Sequence, residues 1–135
     1  MAKLNRAVFR YIEHELYSYD MIKAELRLAE QEIIEGQYYK EVAVSGGMIP
    51  DPTGTKIARL SALREGRMAA TIRAIDRALQ RLDETHQQVF YLKYRQCLSW
   101  QEVCDTIPIS QSLYFKKRRE LVQMTAQQLG LINPS

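Results

Sequence analysis

Asp83, Ser99 and Ser110 each stand immediately before a stretch with helical apolar spacing, and Pro108 lies between the last two. Short polar side chains of this kind cap helix starts, because their oxygens accept from backbone N–H groups that the first turn leaves unpaired. Ser99-Trp100-Gln101-Glu102 adds the capping-box pattern, a hydroxyl followed three residues later by a carboxylate. Proline lacks a backbone donor and pushes its predecessor out of the α region, so the helix opened at Ser99 must stop near Ile107. Residues 83–129 are thereby confined to three consecutive helices, over 83–94, 99–107 and 110–129. Their apolar positions converge on one small core: Val89, Phe90, Leu92 and Tyr94 from the first, Val103, Cys104 and Ile107 from the second, and Leu121 and Met124 from the third. The register of the third helix is open between Leu113 and Tyr114 as its inward residue.

The third helix opens with Ser110, Gln111 and Ser112 and then carries Lys116, Lys117, Arg118 and Arg119 without a break. Short helices joined by a tight hinge, the last beginning small and polar and continuing basic, suit a reader of the DNA major groove. Phosphate contacts are expected from Lys116, Lys117, Arg118 and Arg119, and from the start of the second helix at Ser99 and Trp100. Base-edge contacts are expected from Gln111, Ser112 and Phe115, with Lys116 or Arg119 able to take guanine acceptors. Phe115 has a competing reading as a core aromatic.

The stretch LDETHQQVFYLKYRQCLSWQEVCDTIPISQSLYFKKRREL resembles region 4 of bacterial sigma factors, with Leu98-Ser99-Trp100-Gln101-Glu102-Val103 matching position by position. YIEHELYSYD and PDPTGTKIARL are similar to signatures of the RinA and ArpU group of phage-encoded transcriptional regulators. The resemblance implies a transcriptional regulator, an activator of late or packaging genes, that binds promoter-proximal DNA and assists host RNA polymerase in the bacterial cytoplasm. One departure stands out: Pro108 occupies a position where the sigma-like pattern has glycine, and proline cannot take a left-handed conformation. A small-terminase-like DNA-packaging adaptor, which also joins a helix-turn-helix to a helical oligomerisation hairpin, is the competing expectation.

Before residue 83 the chain also reads as helical. Leu4, Val8, Ile12, Leu16, Tyr19, Leu26, Ala29 and Ile33 predict one helix from about residue 4 to about residue 36. Gly46, Gly47, Pro50, Pro52 and Gly54 predict a loop over 42–55. Ile57, Leu60, Met68, Ile72, Ile75, Leu79 and Leu82 predict a second long helix, weakened at Gly66, with Arg73, Arg77 and Arg81 along another face. The expected fold is therefore all-α: residues 1–82 form a helical hairpin arm and residues 83–135 a helix-turn-helix head. The apolar seam has two outlets, within the monomer or shared with a second copy as a homodimer contact, and the spacing accommodates both.

Charge is uneven along the chain, −2 over residues 1–36 and +5 over residues 55–82, within a net charge of +3. That distribution suits a DNA-facing surface with an acidic end turned elsewhere. Cys97 and Cys104 lie seven apart without a CxxC partner or histidines at ligand spacing, so neither metal nor other cofactor is expected. No catalytic constellation of acids, nucleophile and base has recognisable spacing, and a non-enzymatic role is expected. No apolar run approaches a membrane span.

Overall fold

In the computed structural model, which describes residues 4–36 and 52–133, the chain is all-α, with no strand among those residues. The helices are α1 (Arg6–Tyr17), α2 (Tyr19–Gln31), α3 (Pro52–Glu65), α4 (Arg67–Arg81), α5 (Glu84–Val89), α6 (Trp100–Thr106) and α7 (Gln111–Gln128). A π-helical turn, Glu32–Gly36, extends α2, and a π-helical segment, Phe90–Arg95, extends α5.

Two breaks differ from the expected long helices. Around Ser18 the first is divided: its backbone N–H returns to the His14 carbonyl at 3.0 Å, closing α1 before α2 starts at Tyr19. Between α3 and α4 the break falls at Gly66, the residue whose backbone entropy disfavours a helix interior. The loop expected over 42–55 lies outside the described residues as far as Asp51, and from Pro52 the chain is already helical. Proline is well suited to a first helical turn, where its missing donor would have no partner anyway.

Contacts divide the chain into two compact units. The smaller, residues 21–70, contains most of α2, its π-helical turn and α3, and the turn packs against α3. The larger joins residues 1–20 to residues 71–135. Within it α7 is the central rod, with α1, α5 and α6 packed along it and α1 also meeting the Phe90–Arg95 segment. Ile12 and Leu16 from α1, Ile75 and Ala78 from α4, and Leu121, Val122 and Ala126 from α7 are fully buried. Aromatic edges knit α1 and the start of α2 to the π-helical segment: Tyr17 meets Tyr94 with ring centroids 4.8 Å apart, and Tyr19 meets Phe90 at 5.3 Å. Tyr19 also donates its hydroxyl to Asp76 of α4 at 2.7 Å.

The caps stand where the sequence places them. Asp83 accepts from the His86 N–H (3.1 Å), Ser99 from the Glu102 N–H (3.2 Å) and Ser110 from the Leu113 N–H (3.1 Å), so three helix starts are closed by their own side chains. The end of the Phe90–Arg95 segment is closed differently. Cys97 takes a left-handed conformation (φ 57°), and the Leu98 N–H returns to the Leu92 carbonyl at 3.0 Å. Cys97 is the only non-glycine residue with positive φ among those described, so the turn at Pro108 needs no left-handed residue. There the Ile109 N–H reaches back to the Ile107 carbonyl at 2.7 Å, a three-residue turn whose central dihedral proline already supplies.

Candidate nucleic-acid interface

Val89, Leu92, Val103 and Tyr114 form a buried cluster where α5, its π-helical extension, α6 and α7 meet. Leu98, Trp100, Cys104, Ile107, Ile109 and Phe115 pack around it. The cluster settles the register of α7. Tyr114 points inward at 1% exposure, followed by Leu121, Val122, Thr125 and Ala126 on the same stripe. With 100° between successive residues, that inward stripe leaves Ser112, Lys116 and Arg119 on the opposite side, at i, i+4 and i+7. All three are exposed, as is Gln111 at the first helical position. The opening turn of α7, from Ser110 to Ser112, is likewise exposed.

The other expected contact residues have partners inside the chain. Lys117 donates to Asp83 at 2.7 Å, and this ion pair, more than the partly compensating burial, holds the Asp83 carboxyl far below the usual carboxylate range. Arg118 is committed more deeply. Its Nη2 donates to Glu13 Oε1 at 2.8 Å and its Nε to Glu13 Oε2 at 3.0 Å, while the guanidinium carbon lies 5.0 Å from the Phe9 ring centroid. The Glu13 bond keeps Arg118 protonated well above its ordinary range despite partial burial. Arg118 is thus not available to a phosphate in this structure. It lies four residues after Tyr114 and four before Val122, on the inward stripe, where a bare arginine would be costly without a carboxylate partner. Phe115 is half-buried, edge-on to Tyr114 at 5.0 Å, and it packs on the core cluster instead of lying on the outward stripe. Trp100 is half-buried too, with its ring centroid 6.2 Å from that of Phe115. Ser99 is exposed, but its hydroxyl and N–H both engage Glu102 Oε1, at 3.0 and 3.3 Å. This carboxylate places negative charge at the start of α6, where a phosphate would otherwise approach.

Glu13, which the sequence marks only as one acidic residue of YIEHELYSYD, organises the α1–α7 contact. Burial alone would raise its pKa, yet hydrogen bonds from Arg118 and Tyr94 outweigh that and lower it. Tyr94 donates to Glu13 Oε2 at 2.6 Å, and burial together with that carboxylate drives the phenol far above its usual range. The signal that could have revealed the pair was the inward placement of a charge: once Tyr114 is inside, Arg118 needs a buried acid. A second clasp joins α5 to α7, with buried His86 between Asp83 Oδ1 (2.8 Å from Nδ1) and Glu120 Oε1 (3.2 Å from Nε2).

Both cysteines are free thiols, and burial pushes that of Cys104 upward. Among the described residues no group of three or more His, Cys, Asp or Glu could hold a metal ion, and no helix is long and apolar enough to cross a membrane. Comparison of the chain with protein-family models, curated proteins and solved structures found no match in any of the three.

Proposed function

We propose that this chain is a double-stranded-DNA-binding regulator of transcription, with α5, α6 and α7 acting as a helix-turn-helix. The observation that carries the reading is the outward stripe of α7. Gln111 and Ser112 at its exposed opening turn are followed by Lys116 and Arg119 on the same side, backed by a buried core that fixes their direction. The N-terminal turn of a reading helix is the part that reaches base edges, and cations one and two turns further on meet the flanking phosphates. Lys116 and Arg119 take over the phosphate role, while Lys117 and Arg118 hold the head together. The sequence resemblance to phage regulators favours an activator that assists host RNA polymerase from a promoter-proximal site.

The reading is tested by selecting bound duplexes from a random-sequence pool and comparing the wild type with Gln111→Ala. A base-reading glutamine contributes about 1–3 kcal/mol at one position. The variant should therefore accept substitutions at one base pair that the wild type rejects. If the wild type enriches no sequence, or the two preferences coincide, Gln111 is not a reader. Footprinting followed by reconstituted transcription then establishes activation; a bound site that leaves initiation unchanged would oppose the regulatory part.

A further inference from the structure

The outward stripe of α7 works only if the rod is held at one rotation, since turning it by a single residue moves every side chain by 100°. Core side chains such as Tyr114 and Val122 restrain this rotation through non-directional packing. Directional contacts add to this: Lys117 with Asp83, Glu120 with His86, and, the only one of the three with two donors on one carboxylate, Arg118 with Glu13. The two oxygens of Glu13 receive two parallel N–H donors from Arg118, at 2.8 and 3.0 Å, and a planar fork closed on a planar carboxylate defines an orientation as well as a distance. The guanidinium carbon lies 5.0 Å from the Phe9 ring centroid and 5.9 Å from that of Phe115 of α7. Tyr94 donates to the same Oε2, so α1, the Phe90–Arg95 segment and α7 meet on one carboxylate. The pair is largely screened from water, with 17% of the Glu13 side chain and 27% of the Arg118 side chain exposed.

Building on the DNA-binding reading, we propose that Glu13 is a positioning residue for the reading helix, acting through Arg118 to keep Ser112, Lys116 and Arg119 turned outward. The N-terminal helix α1 is then a working part of the DNA-binding head, although it is about a hundred residues away in sequence. Duplex DNA never touches Glu13; it meets a surface whose direction Glu13 sets.

The test uses the full chain, a labelled duplex enriched from a random-sequence pool by the wild type, and anisotropy titrations across salt concentrations. Measurements are made at a temperature where circular dichroism shows each variant folded. E13Q and R118K should each bind about tenfold more weakly with the wild-type salt slope, because alignment is lost while the phosphate-contacting cations remain. The double variant E13Q/R118K should bind no more weakly than either single variant. Tighter binding by E13Q with a steeper slope would mean that a released Arg118 contacts phosphate, which overturns the proposal. Unchanged affinity in folded E13Q would reduce Glu13 to a stabiliser and equally overturn it. If E13Q fails to fold, R118K decides, since lysine keeps the charge but cannot engage both oxygens; wild-type affinity there refutes the positioning role. K116A/R119A separates the two readings. Binding lost in that variant but retained in E13Q and R118K removes the positioning role alone, whereas a wild type that binds no duplex removes both.

Discussion

Replacing Tyr94 with phenylalanine deletes a single hydroxyl from the junction on which the larger unit depends. The ring itself is 1% exposed, and its contacts with Tyr17 and Phe90 survive the change, so the area term is nearly untouched. What disappears is one short bond, 2.6 Å, from a neutral donor to an ionised acceptor. Hydrogen bonds to charged groups contribute roughly 1.5–3 kcal/mol. Two features lower that figure. Glu13 keeps both Arg118 bonds and is not orphaned, and its residual exposure lets water restore part of the lost solvation. A loss of about 1–2 kcal/mol remains. For a chain of 135 residues the unfolding entropy is about 0.28 kcal/mol/K, so the melting temperature should fall by about 4–7 °C. Thermal denaturation followed by circular dichroism measures it, with Tyr17→Phe as the internal control. The Tyr17 hydroxyl accepts from Lys93 at 2.9 Å but sits on a 45% exposed residue, and its removal should cost under about 0.5 kcal/mol. Equal shifts for the two variants, or none for Tyr94→Phe, would refute the assignment of Glu13 as the hub of this junction.

Further outcomes follow from the same contacts. Because the carboxyls of Glu13 and Asp83 are lowered in the folded chain, their contribution is fully present above ordinary carboxylate values and is lost as pH falls through the folded ones. Melting temperature should therefore drop steeply below about pH 4, and less steeply in Glu13→Gln; parallel curves for the two proteins would contradict this. Ser110→Ala leaves the Leu113 N–H without its side-chain acceptor and should cost about 1 kcal/mol in chemical denaturation, since the site is a capped helix start. Pro108→Gly should destabilise the chain by roughly 0.4–1 kcal/mol, because the turn uses no positive φ there and glycine only adds freedom to the unfolded state. A gain in stability would show that proline strains the turn.

Local punctuation was legible in the sequence wherever one residue closes a helix by itself. Asp83, Ser99, Ser110 and Pro108 act over three or four residues, and all four stand at element boundaries. The division at Ser18 was hidden, because apolar spacing runs on through it from Leu16 and Tyr19 to Ile22. A break inside a continuous stripe has no compositional mark. The run Lys116 to Arg119 shows the limit most clearly. Four adjacent cations look equivalent as letters, yet helical geometry puts Lys116 and Arg119 on one side and turns Lys117 and Arg118 away from it. Tertiary packing assigns Arg118 to Glu13 and Lys117 to Asp83 and leaves Lys116 and Arg119 outside. That partition required the register of Tyr114, which periodicity alone left open between two adjacent residues.

The outward stripe of α7 as a DNA-contacting surface is tested most directly by the salt dependence of duplex affinity in the wild type and in Lys116→Ala/Arg119→Ala. Each phosphate neutralised contributes about 0.9 to the slope of log affinity against log salt, so loss of both cations should flatten it by about 1.8. An unchanged slope in the double variant, with binding intact, would contradict the account and place the DNA-binding surface elsewhere on the chain.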